Sequence, residues 1–503
     1  MMMRRHPLSF GVLSLALAGA ALMLSACGKA ETDALDAAVI GAGPLTLGDA
    51  LAPADGTAQE VLRLNIAQGL VRFDAGGQIE PGLAERWTVS DDGLSYIFRL
   101  ASDEWPDGRK IMARDIARIL KRQLRNTNGS ATREALGAVE DVVAMTDRVI
   151  EIRLAAPRPN LLELLAQPDL ALIRDGVGTG PFRLRTTEAT EKPDAAPNAS
   201  VQLRRRLPGI DGEAGEREDV NLSALAAQPA IAAFVNGKLD LLLGGTVNDL
   251  PLVQRAKLPR GALHFDPANG LFGLIPAKAG GALADAEVRR LLSQAIDRAG
   301  LVAALGVPGL GPRATVLQAG LDGLPDPAQP AWLASPIADR RAALRVEAQR
   351  LFGDGERPRI RIALPEGPGG DLLFARLSAD WRAIGIESER AAPGTPADLA
   401  WVDAVAPSSS PGWYLRQFRC GVAPICNAEA DSILDAARGA PDPTQRGALF
   451  ADAAFMIDQA SLFIAIAAPV RWSLVGDRAT GYQDNRFARH PFAAITRRPQ
   501  RGY

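Results

Sequence analysis

Histidine is nearly absent from this 503-residue sequence. Only His6, His264 and His490 occur, and the first lies close to the amino terminus. A histidine-rich zinc or iron centre is therefore not expected, and we predict neither a bound metal nor a cofactor. A Ser-His-Asp hydrolase would have to use His264 or His490, and the sequence offers neither a GxSxG elbow nor an HExxH motif. We therefore predict that the protein is not an enzyme.

An excess of charge of one sign is also lacking. The chain has 56 Lys and Arg against 58 Asp and Glu, a formal net charge of −2. Proteins that bind nucleic acid usually carry a basic patch, so this balance gives no indication of such a partner. Because 47% of the residues are hydrophobic, the chain is expected to fold, and its length favours two or three lobes over one core.

Long apolar runs are confined to the amino terminus. Two arginines precede an apolar segment, residues 8–24, which is typical of a signal peptide and short for a membrane span. The segment ends in "LSAC", which resembles the lipobox of bacterial lipoproteins. We predict that residues 1–26 are a lipoprotein signal peptide and that Cys27 anchors a periplasmic protein to a membrane of the cell envelope. The alternative is an ordinary signal peptide in which Cys27 has no role.

Cysteine is as scarce as histidine. Besides Cys27 the chain has only Cys420 and Cys426. In an oxidising periplasm a disulfide between these two is favoured over a pair of free thiols. No histidine lies near them in the sequence, so a metal site there is not expected.

The second half of the chain alternates between the periods of strands and helices. Ile360, Ile362 and Leu364 alternate as in a strand, and Leu399–Val402 is typical of a buried strand. Between them one helical face would carry Leu373, Leu377, Trp381 and Ile384, with Gly385 at the helix end. This order predicts βαβ units in an α/β sheet. The "GPGG" at residues 367–370 lacks the Lys-Ser/Thr of a P-loop, so we predict a turn there.

Asp403 follows the predicted strand Leu399–Val402. Ligands of open α/β sheets bind at the carboxyl ends of the strands. Trp401, Trp413 and Tyr414 lie near this aspartate in the sequence, and aromatic side chains with one carboxylate would suit a cationic, partly apolar ligand. Packing in a hydrophobic core would explain the three aromatic residues equally well.

Several phrases together resemble one protein family. They are "PGLAERW", "SDDGLSYIFRL", "WPDG", "GTGPFRL", "FVNGKLDLL" and "LADAEVRRLLSQAIDRAGLV". They resemble family 5 of the bacterial extracellular solute-binding proteins, the peptide- and nickel-binding type that serves ABC importers. The similarity covers most of the mature chain in the order of the family.

The resemblance implies the α/β fold of a type II periplasmic solute-binding protein, with two lobes, an extra third lobe and a ligand cleft between lobes. Lobe I would be discontinuous. The implied division is 27–60 for the first part of lobe I, 61–169 for lobe II, 170–266 for the second part of lobe I, 267–475 for lobe III and 476–503 for the last part of lobe I.

The resemblance also implies a site. In peptide-binding relatives an aspartate of lobe III binds the α-ammonium of the ligand within a Trp-rich Asp-x-x-x-Pro phrase, and Asp403 to Pro407 fits that spacing. Residues around Ala54, Asp55 and Gly56 fall where relatives offer a backbone edge to the ligand, as in strand addition.

The function implied is that of the solute-binding lipoprotein of an ABC importer, which captures short peptides or related amino-bearing solutes by hinge closure. Its expected partners are the ligand, the permease complex and the membrane at the lipid anchor, and we expect a monomer. Two alternatives stay open. One is a non-peptide ligand such as a metal chelate, an opine or a sugar-like compound, and the other is a degenerate relative that acts as a scaffold or sensor.

Overall fold

The computed structural model describes residues 34–41, 43–48, 51–52, 54–125, 136–185, 199–207, 215–353 and 358–495. The predicted signal peptide and Cys27 lie outside these residues. Among the helices of the described residues, none is both long enough and apolar enough to cross a membrane.

The described residues contain twenty strands and thirteen α-helices. The strands are β1 (Leu35–Ile40), β2 (Val71–Phe73), β3 (Ile79–Pro81), β4 (Ala84–Val89), β5 (Ser95–Leu100), β6 (Val139–Thr146), β7 (Val149–Leu154), β8 (Ile173–Arg174), β9 (Val177–Gly178), β10 (Arg183–Arg185), β11 (Ser200–Arg206), β12 (Arg217–Leu225), β13 (Leu241–Thr246), β14 (Leu263–Phe265), β15 (Gly270–Pro276), β16 (Arg359–Ala363), β17 (Glu387–Arg390), β18 (Leu399–Val405), β19 (Ile464–Ala465) and β20 (Arg471–Val475). The helices are α1 (Gly56–Ile66), α2 (Ala113–Arg125), α3 (Leu161–Leu165), α4 (Ala227–Val235), α5 (Leu250–Arg255), α6 (Ala286–Ala295), α7 (Arg298–Leu305), α8 (Ile337–Phe352), α9 (Pro368–Arg382), α10 (Pro411–Arg416), α11 (Ala428–Gly439), α12 (Pro443–Gln459) and α13 (Phe492–Ile495).

The largest sheet has seven strands in the order β10-β11-β12-β1-β13-β20-β14. Strand β1 is parallel to both of its neighbours, and β20 is antiparallel to both of its own. Val39 packs in a core with Leu62 of α1, while Ala38 points to the opposite face and packs with Leu242. Both faces of β1 are covered, which explains its unbroken apolar character. We call this sheet and the helices on it lobe I.

A four-stranded antiparallel sheet, β4-β5-β7-β6, forms the centre of lobe II. In β5, Tyr96 and Phe98 are buried while Ile97 between them is exposed. The buried face packs against Ile116 and Leu120 of α2. One face of the sheet is therefore covered and the other meets solvent, as is common for antiparallel sheets.

Lobe III is built on a five-stranded mixed sheet in the order β17-β16-β18-β15-β19. Strand β16 is parallel to β17 and to β18, and α9 connects β16 to β17, so the predicted βαβ unit is confirmed. The helical face predicted for this segment is also confirmed, because Leu373, Leu377, Trp381 and Ile384 are all fully buried.

The sheets divide the chain differently from the sequence-based boundaries at two places. The predicted boundary between residues 60 and 61 falls inside α1, whose Ala58 and Ile66 both pack in the core of lobe I. The predicted lobe III, 267–475, includes β20, which pairs with β13 and β14 in the lobe I sheet. The reason is that the chain has already returned to lobe I after β19. Residues 266–269 and 466–470 are therefore the two connections between the sheets of lobes I and III.

Two local features settle points that the sequence raised. Cys420 and Cys426 form a disulfide, with a Cα–Cα distance of 5.1 Å, between α10 and α11. The turn predicted for the "GPGG" segment is wrong, because only Gly367 precedes α9 and the other three residues form the first turn of that helix. The segment brings lobe III against lobe I, because a Cβ on Gly369 would lie 2.0 Å from the carbonyl oxygen of Val247. The N–H of Gly369 donates to the carbonyl of Asn248 at 2.8 Å. Close backbone approach thus explains this glycine.

Candidate functional site

A cavity of about 370 Å³ lies in a cleft between lobes I and III. Lobe III contributes Asp403 to Val405 of β18. Lobe I contributes the start of α1, the end of β13, the start of β20 and the segment 487–490. The two connections between the sheets, 266–269 and 466–470, enter β15 and β20 beside this cleft. A ligand held there would contact both lobes next to the two connections.

Asp403 lies inside a strand of this cleft and not beyond its end. Strand β18 continues to Val405, three residues further than the sequence predicted, and Asp403 is paired with Phe272 of β15. The extension has a tertiary cause, because β15 runs alongside and pairs its own first residue, Gly270, with Val405. The side chain of Asp403 nevertheless lines the cavity, as a residue near the carboxyl end of the strand.

The carboxylate of Asp403 forms an ion pair with Arg471 across the lobes. Arg471 Nη1 lies 2.7 Å from Asp403 Oδ1, and the side chains are only 17% and 14% exposed. Arg471 Nη2 also donates to the Asp403 carbonyl at 3.2 Å. Burial raises the pKa of Asp403, and the positive charge of Arg471 opposes that rise. No described residue donates a hydrogen bond to the second oxygen, Oδ2, so this oxygen can accept one from a ligand.

A second ion pair and a histidine complete the charged lining. Arg489 Nη1 lies 2.5 Å from Glu60 Oε2, while its Nε–H is buried with no partner among the described residues. His490 Nε2 lies 3.1 Å from Asp266 Oδ2, and both side chains are buried. A smaller cavity of about 200 Å³ shares Glu60 and Arg489 with the first.

The two adjoining cavities have an excess of negative charge. Their acidic lining residues are Glu60, Asp169, Asp266 and Asp403, and their arginines are Arg471 and Arg489. Four carboxylates therefore face two guanidiniums. Such a lining favours a ligand that carries a positive group.

The structure separates the residues that the sequence placed together around Asp403. Trp401 packs edge-to-face on Phe272, with ring centroids 4.7 Å apart, and is a partly buried residue that packs against the hydrophobic core. Tyr414 is fully buried in the core of lobe III and lines none of the cavities described here. Trp413 borders the 200 Å³ cavity. For Trp401 and Tyr414, core packing therefore accounts for the aromatic side chain.

The amino-terminal residues predicted to contact ligand lie close to the cleft. Gly56, at φ +81°, lines the 370 Å³ cavity at the start of α1. Ala54 and Asp55 are not among its lining residues, although the Ala54 N–H donates to Asp169 Oδ1 at 3.4 Å. Of the three, Gly56 is the residue that the structure brings to the same cavity as Asp403.

Sequence reasoning missed Arg471, Trp472 and Arg489. The "RWSLV" segment, which begins with Arg471, is typical of a strand and was predicted to belong to lobe III. That prediction gave no reason to expect Arg471 to contact Asp403, which lies 68 residues earlier in the chain. Pairing of β20 with β13 and β14 is what turns Arg471 toward the cleft. No pattern in the sequence could have shown this contact.

Comparisons with known proteins agree with this architecture. The family model described as bacterial extracellular solute-binding proteins, family 5 Middle, matches residues 78–398. A probable di/tripeptide-binding protein 5 of Pseudomonas aeruginosa (strain UCBPP-PA14) is 24% identical, over 96% of this chain and 97% of the relative.

Two solved structures show the same fold. The Haemophilus influenzae OppA complex with RPPGFSPFR superposes with a TM-score of 0.77 at 16% identity, covering 92% of this chain and 99% of the other. Brucella suis NikA in complex with Fe(III)-EDTA gives a TM-score of 0.72 at 18% identity, covering 92% and 100%. The mixed α/β fold is that of the type II periplasmic binding proteins. Because the family model covers more than half of the sequence, the chain belongs to family 5 of the bacterial extracellular solute-binding proteins, which are substrate-binding proteins and not enzymes.

Proposed function

We propose that this chain is the solute-binding component of an ABC importer and that it captures a short peptide or a related amino-bearing solute between lobes I and III. The observation that carries this proposal is the carboxylate of Asp403, which is buried at the wall of the cleft and has one oxygen, Oδ2, without a hydrogen bond from the described residues. The excess of carboxylates around it also favours an ammonium group. The relative named as a di/tripeptide-binding protein supports this ligand class.

Binding in the cleft would combine charge with hinge closure. An ammonium that donates to Asp403 Oδ2 forms a charge-assisted hydrogen bond, which contributes about 1.5–3 kcal/mol in such a site. The two connections, 266–269 and 466–470, allow lobes I and III to close over the ligand. Asp403 belongs to lobe III and Arg471 to lobe I. Opening or closing of these lobes would therefore change the distance between the two charged groups.

We also propose that the predicted lipobox anchors this binding protein to a membrane. In the proposal Cys27 carries the lipid, the described lobes lie in the periplasm, and a monomer delivers its ligand to the permease complex. Support comes from the leader sequence, in which the apolar segment ends in "LSAC" at Cys27. A Cys27→Ser variant should move the protein from the membrane fraction to the soluble fraction of the cell envelope.

One observation favours a second ligand class. Arg471 already bonds Asp403 Oδ1, so a ligand without an ammonium could leave this pair intact and bring a carboxylate to Arg471. An opine or a metal chelate would fit that description, and the NikA structure does hold Fe(III)-EDTA. A scaffold with no ligand is less well supported, since a cavity of about 370 Å³ remains between the lobes.

Isothermal titration calorimetry with tri-alanine and its N-acetylated form would test the proposal. If Asp403 binds the ammonium, Asp403→Asn should weaken tri-alanine binding by roughly tenfold to a hundredfold. Acetylation should weaken binding to the wild-type protein in the same way. Asp91→Asn, which removes the same charge at an exposed position of lobe II, is the matched control.

Arg471→Gln separates the two ligand classes. For an amine, this variant removes a competitor for Asp403, so tri-alanine should bind at least as tightly as it does to the wild-type protein. For a ligand held by its carboxylate, the same variant should lose affinity. Unchanged binding of tri-alanine to Asp403→Asn would show that the proposed role of Asp403 is wrong.

A further inference from the structure

A second cavity, of about 410 Å³, lies between lobes II and III. One wall is the lobe II segment 157–160, and the other is formed by the start of α10 together with α11 and α12 of lobe III. Asp403, Arg471 and Arg489 do not line it. Trp413 lines it and also borders the 200 Å³ cavity, so the site adjoins the cleft in which the solute is proposed to bind but shares none of its charged lining residues.

The charge of this cavity is opposite to that of the cleft. Among its lining residues Asp322 is the one acid, against five arginines: Arg158, Arg416, Arg419, Arg438 and Arg446. Arg419 is neutralised by Asp435, with Nη1–Oδ1 and Nη2–Oδ2 distances of 2.8 and 3.0 Å. The same carboxylate lies 3.8 Å from Arg438. One acid is thus shared by two of the guanidiniums.

Arg158 and Arg446 have no such partner. Neither forms an ion pair with the described residues, and their Nη1 atoms donate to the carbonyl oxygens of Pro157 at 3.0 Å and Ala440 at 3.2 Å. Burial lowers the pKa of Arg158, and the charges of Arg438 and Arg446 lower it further. Like charges gathered without a counter-charge destabilise the folded protein, and a bound anion would remove that cost.

Apart from Asn160 and Ser410, the remaining walls are mainly apolar. They include the rings of Trp413 and Phe450 and the prolines at 157, 159, 411 and 443. The indole Nε1–H of Trp413 is buried without a partner among the described residues, so a hydrogen-bond donor is also unused beside the cavity. A volume of about 410 Å³ is within the range of small-molecule sites.

We propose that this arginine-lined cavity binds a small organic anion with a flat apolar body, such as an aromatic carboxylate. The carboxylate lies between Arg158 of lobe II and Arg446 of lobe III, and the apolar body packs against Trp413 and Phe450. The anion therefore links the two lobes. This site shares no charged residue with the proposed importer cleft, whose lining selects for the opposite charge.

The test uses the mature protein and calorimetric titration with 4-phenylbutyrate, its neutral amide and inorganic phosphate. Binding of the carboxylate, with the amide at least about tenfold weaker, is the expected result for a charge-assisted site. Phosphate should bind more weakly than phenylbutyrate, because it lacks the apolar body. These comparisons need only the wild-type chain.

Variants then locate the site. Arg158→Gln and Arg446→Gln should each weaken phenylbutyrate binding by roughly tenfold to a hundredfold. Arg114→Gln removes the same charge from an exposed position of α2 that does not line the cavity, and should leave binding unchanged. Asp403→Asn should also leave it unchanged, which separates this proposal from the importer function.

Four results would overturn the proposal. They are no binding of phenylbutyrate to the wild-type protein, equal binding of its amide, equal binding of phosphate, and wild-type affinity in both cavity variants. A clear change of phenylbutyrate affinity in Asp403→Asn would place the anion beside Asp403 in the cleft and would overturn it as well.

Discussion

Asp458 near the end of α12 should make the stability of lobe III depend on pH. Its Oδ1 accepts a hydrogen bond from the N–H of Val316 at 2.9 Å. Burial raises the pKa of Asp458 to about 7, although this hydrogen bond and the charge of Arg313 oppose the rise. An Asp458→Asn variant keeps an oxygen that can accept the Val316 N–H, but it has no charge to bury.

The sign and size of the effect follow from the two pKa values. Between pH 3.8 and about 7 the folded protein holds a proton on Asp458 that the unfolded chain releases. The free energy of unfolding therefore falls as pH rises through this window, and the loss is complete above pH 7. A difference of about three pKa units corresponds to about 4 kcal/mol, of which about 2–3 kcal/mol is lost between pH 5 and pH 8.

Urea unfolding followed by circular dichroism at pH 5 and pH 8 measures this loss. Asp458→Asn should gain about 2–3 kcal/mol relative to the wild-type protein on going from pH 5 to pH 8. All other groups titrate in the same way in both proteins, so their effect cancels when the two free energies of unfolding are subtracted. Asp452→Asn, at an exposed position of the same helix, controls for removal of a charge. A stability difference that is the same at both pH values would refute the reasoning.

Three further changes test the packing of lobe III. Replacing Cys420 and Cys426 by serine should lower the free energy of unfolding by about 2–2.5 kcal/mol, because the disulfide closes a short loop, and thermal unfolding with and without reductant measures it. Gly369→Ala should destabilise the protein by about 1–3 kcal/mol, because the added Cβ meets the backbone of Val247. Urea unfolding measures this effect, and Gly439→Ala, which has open space around its new Cβ, is the control. Trp381→Ala should cost about 3–5 kcal/mol by emptying the core under α9, and an unchanged urea midpoint would contradict that packing.

Several features of the fold could be predicted because they depend on neighbours in sequence. The period of Leu373, Leu377, Trp381 and Ile384 defines one face of a helix whatever surrounds it, and that face is buried in lobe III. The strand–helix–strand order around α9 likewise predicted a parallel pair. The family phrases extended these local predictions to the fold of the whole mature chain, since they occur in one order along it.

The exact ends of elements and the membership of lobes were less predictable. Strand β18 extends past Val402 because β15 lies beside it and bonds to it, and the sequence of β18 contains no trace of that neighbour. The sequence of β20 would suit a strand of either lobe. The structure pairs it with β13 and β14 in lobe I. Pairing between distant strands is decided by the packing of the whole chain.

The sequence by itself determined the fold class and the family and led to the proposal of Asp403 as a site residue, because each depends on local periodicity or on a contiguous phrase. Only the tertiary structure decided what surrounds that residue. It paired Arg471 with Asp403, 68 positions earlier in the chain, and packed Trp401 against Phe272 of the core. It also gathered arginines from two lobes around one cavity. Charges act through space and not along the chain, so their partners are set only when the lobes have packed.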